Sequence, residues 1–543
     1  MTSAALRRWF DETVLDLGRQ FRWSYLPPLM VYVAAGVSGL TAIVGTFFVK
    51  DYLGLSAAFL ASLSFWAGIP WAMKMPLGHL VDIMWRWKSL LVYAGAGLIA
   101  VSIAIMYALI AHTHAMAEIM PVGAWYVLSV LLSPTGYVIQ DVVADAMTVE
   151  AVPQTDLEGK PFPEETVRAM HTTMQTLGRF AIIGGLVAVA VLNIAMFRGV
   201  ETMTEADKAG IYADIYLLAL AIPAISVAGV ILGSLTLRLR ARRMRESGVE
   251  PSRIREILFA PAEPTEPNWW IFGGSAVFVA FTLVMGLSDV PFAQEIIFCG
   301  SMAIVLFLMQ RLLREIDPAV RGALVGTAVI IFVFRAVPLP GPGASWFEID
   351  VLGFDQQFLS VLSLITSVLT IFGMIVLRPL MATRTIAYVV VLLTVAGAVL
   401  SIPNIALYYG IHHWTESWSG GVVDARFIAI LDTAIESPLG QISMIPMLAW
   451  IAKNAPPRLK ATFFAVMASF TNLALSAASL GTKYLNEIFH VAREVRDRVT
   501  GAVTVPADYG ELGWLLIVVT LIGLAAPLAA VALIQLSPLR TRQ

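Results

Sequence analysis

TFFVKDYLGLSAAFLASL, residues 46–63, and SWFEIDVLGFDQQFLSVL, residues 345–362, decide how this chain is read. Leu53-Gly54 in the first stretch meets Leu352-Gly353 in the second at an offset of 299. Farther along, Glu150-Ala151-Val152-Pro153 stands against Lys453-Asn454-Ala455-Pro456 at an offset of 303, and Arg168-Ala169 against Lys460-Ala461 at 292. An offset that stays nearly constant over so long a stretch marks an internal repeat. Both copies run in the same direction, so the two halves are parallel versions of one unit.

The composition says what that unit is made of. Of 543 residues, 58% are hydrophobic and 14% charged, against about 25% charged in soluble domains. Apolar runs long enough to cross a bilayer recur along the whole length, which makes this an all-α polytopic membrane protein. Fourteen spans are expected, at 25–49, 56–77, 89–111, 121–148, 166–196, 213–237, 269–288, 291–312, 320–338, 356–378, 384–409, 423–452, 460–488 and 511–536. An even number puts both termini on one side, and basic loops decide which side. Arg7, Arg8, Arg19 and Arg22 precede the first span, Arg86 and Lys88 follow the second, and seven arginines lie between 238 and 255. All fall on the side of the termini, which is therefore read as cytoplasmic, in a bacterial inner membrane. Residues 1–24 are charged and mixed, and are read as a cytoplasmic segment rather than a cleaved signal.

Repeat and spans together divide the chain. A six-helix bundle at 25–237 and a second at 320–536 form the parallel pair of the major facilitator fold. Residues 269–312 are an inserted helix pair outside that symmetry. A cytoplasmic linker, 238–268, is first basic and then proline-rich (APAEPTEPN), and 537–543 form a cytoplasmic tail.

GYVIQDVVADAMTVEAVP at 136–153 carries Gln140, Asp141 and Asp145 at the end of an apolar span. Asp141 and Asp145 are four apart and share a helix face. A carboxylate at mid-membrane costs about 2.5–3.5 kcal/mol on insertion scales, so it faces a polar interior or a partner. At 1.5 Å per residue, Asp141 lies about 7 Å to the cytoplasmic side of the middle and Asp145 about 13 Å. Gln175 on the fifth span is level with Asp141, and Arg179 is within reach of it. The second half repeats the logic: Asp432 and Glu436 are four apart on the twelfth span, Arg335 stands at similar depth on the ninth, and Asn472 sits near mid-membrane on the thirteenth. Asp141 is expected to pair with Arg179, and Arg335 with Asp432 or Glu436, as ties between helices or as contacts to a solute. A buried carboxylate tuned by a neighbouring arginine can take up and release a proton. Glu436, Asp432 and Asp141 are the candidates for that role.

Other chemistry lacks support. GxxxxGK[ST] does not occur, and no GxGxxG follows a strand, so primary active transport and a nucleotide-binding enzyme are not suggested. His112 with His114, and His412 with His413, lack the companion ligands that a metal site needs. Cys299 stands alone, which excludes an intrachain disulfide. Neither a catalytic set nor a cofactor is expected.

Four stretches resemble the folate–biopterin transporter family of the major facilitator superfamily. They are GIPWAMKMPLGHLVD at 68–82, QDVVADAMTVE at 140–150, FVFRAVPLPGPGASWFEIDVLGFDQQFLSVLSLI at 332–365, and the region from Asp424-Ala425-Arg426-Phe427 through MIPMLAWIAKNAPPRLKATFFAVMASFTNLALS at 444–476. Matches fall in both halves, in the family's order. The resemblance implies a secondary transporter that moves a folate-like or pterin-like solute by alternating access, coupled to protons. Such a solute is anionic and aromatic; Arg335, Gln140, Asp141, Gln175, Arg179 and Asn472 are its candidate contacts. Gly78, Asp82, Arg86 and Lys88 resemble the superfamily loop that pins the bundles together, and Asp145 joins them as a gating candidate. The expected protein is a monomer whose partners are the solute, the proton and the bilayer, with no nucleic acid. The inserted pair departs from the family and resembles instead the muropeptide permeases. That makes another solute permease the first alternative; a non-transporting assembly factor for a membrane complex is the second.

Overall fold

The computed structural model describes residues 21–49, 55–72, 74–259, 269–287, 290–314, 318–377, 384–439, 460–496 and 503–540. Almost all regular structure in these residues is helix. α1 is Leu26–Val37, a 3-10 turn at Ser38–Thr41, and Ala42–Phe48. α2 is Ala57–Ala72 with a second segment, Lys74–Ile83. Lys88–Ala111 is α3, Val122–Ala151 is α4 and Glu164–Met196 is α5. α6 has two segments, Glu205–Ala219 and Ala221–Glu246. The pair expected to be inserted is α7 (Trp269–Leu287) and α8 (Ala293–Arg314). α9 is split into Pro318–Arg335 and Pro342–Asp350. Then come α10 (Gln356–Val376), α11 (Ile386–Tyr408), α12 (Ala425–Glu436), α13 (Lys460–Ile488) and α14 (Leu512–Leu536).

Each of the fourteen expected stretches thus carries helix, and nine described helices are long and apolar enough to cross a membrane. The rest of the twelfth stretch, beyond residue 439, lies outside the described residues. Between α13 and α14 a small antiparallel ribbon forms, β1 (Val495–Arg496) with β2 (Val503–Val505). The sequence carried no expectation of it.

The packing repeats as the sequence does. α2 packs along α13, and α5 along α10. The repeat maps α2 onto α10 and α5 onto α13, so these two seams are one contact made twice. Local chemistry repeats too. Ser56 Oγ accepts from the Phe59 amide at 3.1 Å, and Asp355 Oδ1 accepts from the Phe358 amide at 2.8 Å. Each caps the second helix of its half by occupying an otherwise unpaired amide, and the two caps are separated by the repeat's offset of 299.

The first helix of each half is interrupted. α1 tightens into its 3-10 turn at Ser38–Thr41. α9 opens after Arg335, where Pro338 and Pro340 remove amide donors and Gly341 has φ +82°. The two interruptions coincide under the repeat. Tight glycine contacts hold the first half around them. A Cβ on Gly136 would stand 2.6 Å from the Gly95 carbonyl oxygen, and one on Gly36 would stand 2.1 Å from that of Ile182. α3 and α4, and α1 and α5, therefore touch backbone to backbone, as small residues allow in membranes.

Candidate functional site

A cavity of about 790 Å³ lies where the two interruptions meet. Ser38 and Thr41 of the 3-10 turn line one side; residues 339–342 and Trp346 of α9 line the other. Tyr126, Tyr137 and Tyr216 complete the wall. Ser38 Oγ donates to the Ala35 carbonyl at 2.6 Å, and the Tyr137 and Tyr216 hydroxyls lie close to Ser38 and Thr41. The described lining is hydroxyls, rings and aliphatic groups; it includes no Asp, Glu, Lys or Arg. Interrupted helices at matching positions of two repeats are where transporters of parallel or inverted-repeat design bind solute, because freed backbone groups and flanking side chains face the cavity.

One helical turn beyond Tyr137, on the same face of α4, a charge cluster begins. Lys74 Nζ sits 2.6 Å from Asp141 Oδ2 and 2.8 Å from Asp145 Oδ2. The Tyr32 hydroxyl donates to Asp145 Oδ1 at 2.8 Å. Side-chain exposure is 20% for Lys74 and 23% for Asp141. Two carboxylates therefore share one ammonium inside the first half, joining α1, α2 and α4.

Asp141 was expected to pair with Arg179; its partner is Lys74. Arg179 is exposed and acts on Asp141 and Tyr32 through its field rather than by contact. Depth along the helices made Arg179 eligible, but rotation about the helix axis points Lys74 at α4. Lys74 as the one charge of the apolar run at 56–77 was the available signal.

Gln140 is 3% exposed and is held by neighbouring helices. Its Nε2 donates to the Val92 carbonyl at 3.3 Å, and its Oε1 accepts from Ser226 Oγ at 3.0 Å. It ties α4 to α3 and α6, away from the cavity wall. Asn472 donates to the Trp71 carbonyl at 3.0 Å, across the seam between α13 and α2.

The carboxylates of the second half likewise differ from expectation. Asp432, 7% exposed, accepts from Asn404 at 2.9 Å, and its charged neighbour is Glu436 rather than Arg335. Glu436 is exposed. Glu348, on the second segment of α9, lies within electrostatic range of Asp432 and had not been singled out. Arg335 is the last residue before the break in α9 and is half-buried there.

Of the gating candidates, Lys88 pairs with Glu150 at 3.1 Å and lies over the Trp85 ring at 4.1 Å. Like Asp145, it joins helices within one half rather than pinning the halves together. Gly78 faces Val142 of α4. The segment that carries Gly78 does pack on α13. The side chains of Asp82, Arg86 and Gln175 lie outside the described residues.

Comparison with known proteins agrees with this architecture. The BT1 family model matches residues 35–541. A folate-biopterin transporter of Synechocystis sp. (strain ATCC 27184 / PCC 6803 / Kazusa) is 24% identical over 476 residues, covering 87% of this chain and 76% of that one. Among solved structures, a POT peptide transporter in complex with sulfate superposes with a TM-score of 0.58 at 16% identity, covering 96% of each chain. The nucleoside transporter NupG superposes at 0.55 and 11% identity, over 94% of this chain and 99% of that one. These similarities carry the major facilitator fold. With the family match spanning nearly the whole length, the chain belongs to the BT1 family: it is a membrane transporter of the folate–biopterin type.

Proposed function

We propose that the protein is a proton-coupled transporter of a pterin-like or folate-like solute, working by alternating access between bundles 25–237 and 320–536. The termini face the cytoplasm of a bacterial cell. The observation that carries the reading is the conjunction of three features: two interrupted helices, the cavity between them, and a Lys74–Asp141–Asp145 cluster one turn away. The cavity's rings and hydroxyls suit a flat heteroaromatic group, which stacks on aromatic faces and exchanges hydrogen bonds at its edges. The relative from Synechocystis supports that solute class by its name.

The cluster supplies a coupling device. With one ammonium between two carboxylates, protonating Asp141 or Asp145 leaves a neutral pair, and releasing the proton leaves an excess anion in a low-dielectric wall. Movement of the halves changes water access to that wall, so proton affinity and conformation become linked. Arg335, at the edge of the break, remains the candidate for an anionic tail of the solute. Asp432, Glu436 and Glu348 form a second acidic group with the same potential. Gln140 and Asn472 act as structural ties in this reading.

The test is uptake of folic acid and of biopterin by proteoliposomes, with and without an imposed proton gradient. Accumulation driven by the gradient, saturable and absent from empty liposomes, is expected for at least one of them. No uptake of either compound, with peptides or nucleosides carried instead, would move the protein to another permease class on the same fold.

A further inference from the structure

We infer that Gln294, at the start of the inserted helix pair, is a latch between the two halves and a positioning residue for their opening. The inference rests on the alternating-access reading above. Gln294 and Glu295 are neighbours in the first turn of α8, and they bond to different halves across the α2–α13 seam. Glu295 accepts from Lys483 Nζ at 3.1 Å and from the Tyr484 hydroxyl, both on α13 in the second half. Gln294 Nε2 donates to Ser62 Oγ at 2.5 Å and to the Ser62 carbonyl at 3.3 Å, on α2 in the first half. Gln294 is 7% exposed, so water competes poorly for these bonds.

The rest of α8 belongs with the second half. Its Ile297, Val305, Leu308 and Met309 share an apolar cluster with α9 and α13. Among the described residues that cluster reaches α2 through Phe65, Trp66 and Ile69, contacts without direction that can slide. Among the described residues, the directed bond from α8 to the first half is the one to Ser62.

Its position on the seam matters. Asn472 and Trp71 bond α13 to α2 near mid-membrane. Ser62 lies nine residues from Trp71, about 13 Å farther toward the face opposite the termini. A rocking motion that opens that face separates the Ser62 level first and the Trp71 level last. Ser64, two residues on, lines the cavity. Breaking the latch therefore favours access to the cavity from the face opposite the termini. It does so without touching the Lys74 cluster or the cavity wall. A helix pair outside the repeat thereby acquires a role, setting how readily one face opens.

The experiment is thiol labelling of the full-length protein in proteoliposomes. The parent is Cys299→Ser with Ser64→Cys, probed by a membrane-impermeant maleimide from the face opposite the termini, with and without folic acid or biopterin. Gln294→Leu keeps the volume and removes the donor. It should raise the labelling rate of residue 64 about two- to tenfold, the effect of one net hydrogen bond on a two-state equilibrium. Ser62→Ala should move the rate in the same direction, Ser62→Thr should restore the parent rate, and Gln294→Leu with Ser62→Ala should not exceed Gln294→Leu alone. Monodisperse elution of every variant separates these effects from misfolding. Parent-like labelling in Gln294→Leu, while the parent itself still responds to solute or to a proton gradient, would overturn the latch. A parent rate that neither solute nor gradient changes would overturn alternating access, and the latch with it.

Discussion

Lys74 holds two carboxylates, so its removal does more than delete a contact. Lys74→Met leaves Asp141 and Asp145 facing each other in a partly buried wall. Removing one partner of a fully buried pair costs about 3–5 kcal/mol. Since a fifth of the Lys74 side chain is exposed, a loss of about 2–3 kcal/mol is expected here. The melting temperature in detergent should fall accordingly. Adding Asp141→Asn should recover part of the loss, because it removes the repulsion the first change created. A double variant no more stable than Lys74→Met would mean that Lys74 contributes by packing rather than by charge. The same residue marks how far the sequence could be read. The cost of intramembrane charge pointed to Asp141 and to the need for a cation. Counting rise along helices assigned depth, but depth alone does not fix azimuth. Depth selected Arg179, and the rotation of α2 against α4 brings Lys74 to Asp141 instead.

The interrupted helices belong to the next scale. In α9 the break was legible: Pro338, Pro340 and Gly341 cannot continue a helix. In α1 the signal was weaker: Ser38-Gly39 marks a turn, but Val37 and Leu40 around it continue the apolar run, and the span at 25–49 was expected unbroken. The repeat was a second clue, since a break in one half invites a break at the matching position of the other. Backbone contact between α3 and α4 fixes the cavity's far wall, and it too can be tested. On Gly136 a Cβ would meet the Gly95 carbonyl oxygen at 2.6 Å and Ile99 Cγ1 at 2.7 Å. Gly136→Ala should therefore destabilise by about 1–3 kcal/mol through overpacking. Gly184, where a Cβ meets nothing within 4 Å, is the control: Gly184→Ala should be neutral or stabilising by up to about 1 kcal/mol. Thermal unfolding of the two variants side by side decides it. Equal behaviour would show that α3 and α4 can separate at little cost, and that the small residues there are incidental. A third variant addresses function: Pro338→Ala with Pro340→Ala lets α9 regain helical hydrogen bonds across the break. Folding should persist while solute uptake falls, because the backbone that lined the cavity is drawn back into the helix. Unimpaired uptake would remove the break from the binding site.

At the scale of the whole molecule, the repeat offset anticipated more than architecture. It maps the α2–α13 seam onto the α5–α10 seam, and those seams carry the halves against each other. What the offset could not supply was any difference between the halves. The first half gathers Lys74 with two carboxylates; the second sets Asp432 beside Glu436 and Glu348, with Asn404 as a neutral donor. That asymmetry turns a question about residues into one about cycles. Exchange of solute across a membrane needs the halves to rock with solute bound on both strokes. Net accumulation also needs a proton site that empties on one side only. Asp141→Asn keeps the hydrogen-bonding shape beside Lys74 and removes the titration, so gradient-driven accumulation should be lost while solute exchange persists. Glu436→Gln, at an exposed position, should leave both largely intact if the first half carries the proton. The reverse pattern, with accumulation lost in Glu436→Gln and retained in Asp141→Asn at every pH tested, would move coupling to the second half. In proteoliposomes the two assays share one protein preparation, so a variant that fails accumulation but exchanges normally is folded and cycling. Its defect then lies in the coupling step itself.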